Sequence, residues 1–341
     1  MRKKQILMSL IILCIIGITS IGVAYYYLFY PNTVVTDNGI VFIHKSGTVE
    51  QLWDTLQTKG YIKNRSTLKQ VALLKKYDTI TRDGRFKIRN GMGNNELINM
   101  LRSGMQEPVR FVFNNIRSLE ELAKVVEQQL SISAEEFLFH LRDPEQLLAW
   151  GFTPETCMAM FIPNTYEVYW NISADQFLQR MHKEYLRFWN EERMSKASAK
   201  GLTPVEANTL ASIIEEETTK REEYPVIAGV YLNRLERGMT LGACPTLRFA
   251  LGDYTLTRIL IKHTQIDSPY NTYKHTGLPP GPIRITSIQV VDAVLNAQKH
   301  DYLFFCAKSD FSGYHHFART FRQHSVYAQE YHRELDRRGI Y

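Results

Sequence analysis

Residues 6–30 carry no charged side chain, and 20 of those 25 positions are apolar. A helix rises 1.5 Å per residue, so this run is long enough to cross a hydrocarbon core of about 30 Å. Tyr25, Tyr26, Tyr27 and Tyr30 crowd its C-terminal end, as an interfacial aromatic belt would. Arg2, Lys3 and Lys4 precede it without an acid. The positive-inside rule then makes residues 1–4 a cytoplasmic tail, residues 5–30 a single transmembrane anchor, and the remainder an extracytoplasmic body. The run exceeds the ~7–15 apolar residues of a cleaved signal, and no A-x-A-like site follows it. A retained anchor in a membrane is therefore expected.

Charge adds little beyond that orientation. Lys and Arg total 41 against 35 Asp and Glu, a formal +6, and half of the excess sits in the tail. The rest is spread over the body, which argues against nucleic acid as a partner. With 44% hydrophobic residues, the chain is not largely disordered. Cys157, Cys244 and Cys306 lie outside the anchor and have no C-x-x-C or zinc spacing, so they read as buried free thiols.

Residues 31–38 read as a linker. Residues 41–106 then form a small module with a strand at 41–43, a Thr48-capped helix, a second helix around Leu68 and Val71, a strand at 84–88 and a closing helix from Asn94. Gly91-Met92-Gly93 lacks the third glycine of a dinucleotide loop and reads as a turn into a helix. Residues 109–113 alternate like a strand. Residues 117–200 are mainly helical, with capping boxes at Ser118 and Ser133 and one amphipathic helix from Asp175 to about Arg193. Residues 202–341 form a separate core rich in Gly, Pro and aromatics. The fold class is α+β, with a second, larger region spanning 107–341.

Thr203-Pro204-Val205-Glu206 is a strong helix start, with a cap, a proline at the first position and Glu at the third. The helix should run to about Thr219. Placed at about 100° per residue from Leu210, Ile214, Ala207 and Ala211 form an apolar stripe on one side and Ile213 closes the other edge. Glu215 and Glu216 then fall about 140° and 120° away from Leu210, off the stripe, whereas Glu217 falls only about 20° away. Glu217 is the acid directed inward. Burial disfavours its charged form, and a carboxyl kept protonated near neutral pH can serve as a general acid. A second helix is expected from Pro225 to Arg237, stopped by Gly238. Beyond it, residues 268–273 and the Gly/Pro-dense residues 276–282 can form neither helix nor central strand. They read as a stiff loop region whose Tyr and Asn suit sugar contacts. His315 and His316 are adjacent and would face opposite ways on a strand, so no metal is expected, and no cofactor.

These residues resemble the MltG/YceG-like endolytic murein transglycosylases. The resemblance rests on Leu210-Ala-Ser-Ile-Ile-Glu-Glu-Glu-Thr218, Ala228-Gly-Val-Tyr-Leu-Asn-Arg-Leu235 and Gly238-Met-Thr-Leu241. It continues through Pro245-Thr246, Tyr270-Asn-Thr-Tyr273, Thr276-Gly-Leu-Pro-Pro-Gly-Pro-Ile283 and Phe161-Ile-Pro-Asn-Thr-Tyr166. It also makes residues 41–106 LysM-like. Two positions depart from the family pattern, which more often has Asp where Asn164 and Cys244 stand.

The resemblance implies Glu217 as catalytic acid, the residue the helical wheel selects. The implied substrate is the peptidoglycan glycan, with nascent strands as its source. The bond cut is that between N-acetylmuramic acid and N-acetylglucosamine, leaving 1,6-anhydro ends. Thr246, Asn271, Tyr273, Thr276, Gly277, Leu278 and Pro279 are the expected glycan contacts, and cell-wall synthases (penicillin-binding proteins) the expected partners. Two other readings stand beside it. One is a hydrolytic muramidase in which Glu167 or Asp267 assists water. The other is a non-catalytic wall-binding scaffold.

Overall fold

The computed structural model describes residues 2–77, 82–256 and 258–339. The last two residues of the expected larger region, 340 and 341, lie outside the described residues. Backbone packing divides the chain into two units. The first comprises residues 2–111 together with 129–131 and 166–172, and the second takes the rest.

The first unit opens with α1 (Arg2–Phe29), of which Lys3–Phe29 is long and apolar enough to cross a membrane. Then follow β1 (Ile40–Ile43), α2 (Val49–Thr58), α3 (Arg65–Leu74), β2 (Gly84–Lys87) and α4 (Asn94–Ser103). This is the strand–helix–helix–strand–helix order read from the sequence. β1 and β2 are antiparallel, Val41 opposite Phe86. Leu52, Trp53, Leu56, Leu68, Val71, Leu97 and Leu101 bury against them. The α2 start is a capping box in which Thr48 accepts from Gln51 N and the Gln51 side chain accepts from Thr48 N.

Residues 31–38, expected as a linker, are instead partly built into this unit. Asn32 and Thr33 are buried, and Asn32 Nδ2 donates to Asn94 Oδ1 at 2.6 Å. Asn94 Nδ2 in turn donates to the Tyr27 carbonyl at 2.8 Å, which ties the end of α1 to the module. Gly93 caps α4 where a Cβ would press on the carbonyls of Leu28 and Phe29. The glycine turn thus serves close packing. Residues 166–172 return to this unit, where Trp170 packs on Phe42 with ring centroids 5.0 Å apart.

Next along the chain come β3 (Val109–Val112), α5 (Leu119–Gln129), α6 (Ala134–Leu141), α7 (Pro144–Ala149) and β4 (Thr165–Val168), with β3 pairing β4. The amphipathic helix expected as one piece is two, α8 (Ala174–Phe188) and α9 (Glu191–Ser198). Asn190 divides them, its side chain accepting from Arg193 N and so capping a new start. The second unit then continues with α10 (Pro204–Glu217), α11 (Tyr224–Glu236), α12 (Cys244–Leu251), α13 (Ile288–Leu295), β5 (Phe304–Ala307), β6 (His315–Ala318) and α14 (Phe321–Arg337).

α10 is the central helix of this unit, packed by α11, α12 and α13. Its apolar stripe, Ala207, Leu210, Ala211, Ile213 and Ile214, is fully covered. Burying each such side chain contributes about 1.5–3 kcal/mol for the larger residues. Of the three exterior cysteines, Cys157 is buried, while Cys244 and Cys306 are only half-covered.

Candidate active site

α10 begins where the sequence places it, with Thr203 and Glu206 forming a reciprocal capping box and Pro204 at the first position. It ends at Glu217, because Thr218 turns extended. The three consecutive acids therefore occupy the last turn, and they divide between two surroundings.

Glu215 and Glu216 lie off the apolar stripe, as the helix geometry places them, and are largely covered by arginine. Arg284 Nη1 meets Glu216 Oε1 at 2.6 Å, and its Nε lies 3.5 Å from Glu215 Oε2. The three side chains are 8–14% exposed. Arg117 adds a two-point contact to Glu216 at 2.9 and 3.1 Å. Ser287 N, at the start of α13, donates to Glu215 Oε2 at 3.0 Å. This is an ion-pair network that fastens residues 284–287 to α10. The same strap is held by Ile283 N, which donates to Ser212 Oγ at 3.0 Å.

Among the described residues, no arginine is bonded to Glu217. The Tyr231 hydroxyl, from α11, donates to its Oε1 at 2.5 Å. Tyr231 is itself buried. Burial raises the Glu217 carboxyl above the ordinary carboxylate range. The Tyr231 hydrogen bond, and more weakly the charges of His315, Arg248 and Arg234, draw it back. The same surroundings push the Tyr231 phenol well up, burial first and the Glu217 charge second. On the other side stand Cys244, the first residue of α12, and Tyr273, with Sγ and Oη 3.1 Å apart. Burial, then the Glu217 charge, raises the Cys244 thiol, so a neutral group sits where the family more often has an acid. Burial likewise raises the Tyr273 phenol. The result is a carboxyl whose burial favours the acid form, set among tyrosines and a thiol, with two guanidinium groups near enough to favour the carboxylate.

The other residues expected to touch glycan fall into three places. Tyr273 is beside Glu217 and 37% exposed, so its ring is open to a ligand. Asn271 and Thr246 are fully buried behind it. Asn271 Nδ2 donates to the Thr264 and Ile266 carbonyls at 3.0 and 2.8 Å, and its Oδ1 accepts from Tyr273 N at 3.1 Å. Thr246 Oγ1 donates to Ala243 O at 2.8 Å and lies 2.9 Å from Thr272 Oγ1. Both side chains are committed to shaping the turn that presents Tyr273, so they position rather than touch. Gly277, Leu278 and Pro279 line a groove of about 870 Å³ with Leu202, Glu206 and Asn233, and Glu217 is not among its lining residues. Thr276 is exposed and bridges Thr240. Gly281 is required where it stands, since a Cβ would strike the Glu155 carbonyl.

Sequence reasoning did not assign Tyr231, Arg234, Arg248 or the His315–Glu223 pair to the site. Tyr231 was legible only as part of an apolar helix face. The two adjacent histidines do face opposite ways: His315 Nδ1 is 2.8 Å from Glu223 Oε2, while His316 stacks on Tyr327 at 4.4 Å. Asp267 is exposed in the second unit, and Glu167 is exposed in the first. Among the described residues, no group of three His, Cys, Asp or Glu could hold a metal ion.

Residues 41–330 match the model of the YceG-like family. The chain belongs to that family. An endolytic murein transglycosylase of Bacillus subtilis (strain 168) is 44% identical over 123 residues, covering 36% of this chain and 33% of that protein. One of Streptococcus pneumoniae serotype 2 (strain D39) is 28% identical over 302 residues, covering 78% of this chain and 54% of that protein. The chain thus spans between a third and about half the length of these relatives. The crystal structure of a yceG-like protein from Listeria monocytogenes superposes with a TM-score of 0.56 at 26% identity, covering 84% of this chain and 97% of that one. The second unit carries all the family motifs quoted above except Tyr166, which falls in the first.

Proposed function

We propose that this protein is a membrane-anchored lytic transglycosylase that cuts the peptidoglycan glycan between N-acetylmuramic acid and N-acetylglucosamine without water. The observation that carries the reading is that Glu217 is a desolvated carboxyl bonded to Tyr231, while the neighbouring buried acids are bonded elsewhere. Glu215 and Glu216 are held by Arg284, and Glu223 by His315. Hydrolytic glycosidases need two working carboxyls across the bond. A single carboxyl suits a reaction in which the substrate supplies its own nucleophile.

In that reaction the Glu217 carboxyl donates its proton to the glycosidic oxygen, and the C1–O bond of the muramoyl residue breaks. The electron pair leaves with the oxygen of N-acetylglucosamine. The muramoyl C6 hydroxyl closes on C1 and gives its proton to the Glu217 carboxylate. The product is a 1,6-anhydromuramoyl end, no water is consumed, and the acid is regenerated. Tyr231 fixes Oε1 and leaves Oε2 to carry the transferred proton. Tyr273 offers its exposed ring to a sugar face.

Family membership and the names of the matched relatives support this reading, as does the apolar α1 for the anchor. Nascent strands in the wall, met from the outer face of the plasma membrane, are the substrate it implies, and cell-wall synthases the partners. The strand–helix–helix–strand order of residues 40–87 supports a LysM-like module.

Digesting purified peptidoglycan with wild type and with Glu217→Gln, and weighing the muropeptides, tests the reaction. Anhydro ends from wild type alone are expected. Reducing ends heavier by one water would replace this reading with a muramidase. Full cleavage by the variant would remove Glu217 from the chemistry, and no cleavage by either protein would favour the scaffold.

A further inference from the structure

Glu217 has to serve twice, first as an acid and then as a base, if the reaction is the one proposed. Burial alone would hold it protonated and make the second state costly. Something beside it has to favour the carboxylate without bonding it permanently. Directly after Glu217 the chain makes an arrangement that the acid–base steps do not use. Glu223, in the turn Arg221–Glu223, is a buried carboxylate with three donors. His315 N and His315 Nδ1 each lie 2.8 Å from it. The Thr218 hydroxyl donates to it at 3.2 Å.

A buried carboxylate is costly unless fully paired, and one that is fully paired fixes its partners firmly. Here the partners are the residue that follows Glu217 and an imidazole from β6. Nδ1 is bound to Glu223, and among the described residues Nε2 makes no hydrogen bond, so that edge of the ring is uncommitted. Phe305 closes over the imidazole edge-on at 5.4 Å and also packs against Tyr231 at 5.6 Å. His315 and Tyr231 thus bear on Glu217 from β6 and α11, while Glu223 holds His315 and Thr218, the residue that follows the acid.

We propose that Glu223 and His315 form a positioning pair for the catalytic acid. Glu223 locks Thr218, and with it the end of α10, while orienting the imidazole so that its charge, when protonated, stabilises the Glu217 carboxylate. The proposal rests on Glu217 being the acid. It goes beyond that reading by adding two residues that act through it. The other groups that face Glu217 are Tyr231 and Arg234 on α11, Cys244 and Arg248 on α12, and Tyr273. Among the described residues, none of them is hydrogen-bonded to His315, whose bonds go to Glu223.

The test is the pH profile of kcat/KM for release of anhydro ends by the full chain. An acid must be protonated to donate, so the rate falls on the alkaline side as Glu217 ionises. Removing a favourable cation in His315→Gln moves that fall to higher pH. One pH unit above the wild-type midpoint, the variant should keep about three times more of its own plateau rate. Glu223→Gln should lower kcat about tenfold with KM within twofold, since it frees Thr218 and the imidazole together. Tyr314→Phe loosens the same hairpin by removing its bond to the Glu222 carboxylate, and should leave the profile where it is. An unmoved profile in folded His315→Gln would overturn the proposal. So would an equal displacement in Tyr314→Phe, which would assign the effect to hairpin docking. If the wild type itself gives no anhydro product, the proposed reaction has failed rather than the pair.

Discussion

The two sides of the last turn of α10 differ in what meets an acid. On one side Glu215 and Glu216 face Arg284 and Arg117, and their charge is answered by charge. On the other, Glu217 faces a phenol, a thiol and an aromatic ring, and burial raises its carboxyl above the ordinary range. Three identical side chains in a row therefore do two jobs. One side ties a strap to the helix, and the other holds a proton in reserve. The comparison breaks most sharply at Glu217→Gln. Loss of the acid should lower kcat by about a thousandfold, read as anhydro ends released per minute, while the melting temperature at pH 7 holds or rises. The stability sign follows from the raised carboxyl. A folded state that binds this proton more tightly is most stable below the unfolded carboxyl range. It then loses stability as pH rises through the folded value. Glu217→Gln removes that slope, so its advantage over wild type should grow from pH 5 to pH 8 in denaturant titrations. A constant difference would mean the carboxyl is not held in its acid form.

The opposite side should fail in the opposite way. Glu216→Gln leaves Arg284, 8% exposed, with the longer contact to Glu215 as its one remaining ion pair among the described residues, beside its hydrogen bond to Asn115 Oδ1. Breaking a buried pair from one end costs several kcal/mol, and the remaining Glu215 reduces that to about 2–3 kcal/mol. Thermal unfolding should show the loss, with anhydro-end release per folded molecule within a few-fold of wild type. A variant that stays stable but inactive would move Glu216 into the chemistry and dissolve the contrast.

How much of this contrast was legible depends on how local its causes are. The start of α10 is written in four adjacent residues, Thr203 to Glu206, and the inward turn of Glu217 follows from helix geometry. The order of the N-terminal unit is likewise local, read from capping residues and short apolar runs. The partners of the acids are not. Arg284 and Arg117 reach Glu216 from 68 and 99 residues away, and no periodicity announces such a meeting. Helix geometry therefore places Glu215 and Glu216 off the apolar stripe without naming what meets them there. The return of residues 166–172 to the first unit is hidden for the same reason. The break between α8 and α9 was missed because Asn190 breaks the helix by offering a cap, without the glycine or proline that marks a stop. Asn271 and Thr246 look like ligand contacts in a motif. Only their complete burial shows that their polar atoms are spent on the loop.

Within the Glu217 side, the tyrosine is the next point to press. Tyr231→Phe removes one hydroxyl from a fully packed ring and should cost about tenfold in kcat through a less fixed carboxyl. Since that hydrogen bond favours the carboxylate, its loss should also carry the alkaline fall of kcat/KM to higher pH. A lowered rate with an unmoved profile would make Tyr231 a packing residue.

The smallest expected effect probes the departure at Cys244. The thiol is neutral and lies beside Tyr273, close enough for the Glu217 charge to raise it. Cys244→Asp puts a carboxylate there, as in the commoner family pattern. A like charge disfavours ionisation of Glu217, so the acid should survive to higher pH, and kcat/KM above the wild-type midpoint should rise about twofold to threefold. Cys244→Ser keeps a neutral group of similar size and should leave the profile in place. The pair of variants separates charge from shape at one position. If serine and aspartate move the profile alike, what matters beside Glu217 is the packing of Tyr273, and the contrast between the two sides of the helix is one of shape rather than charge.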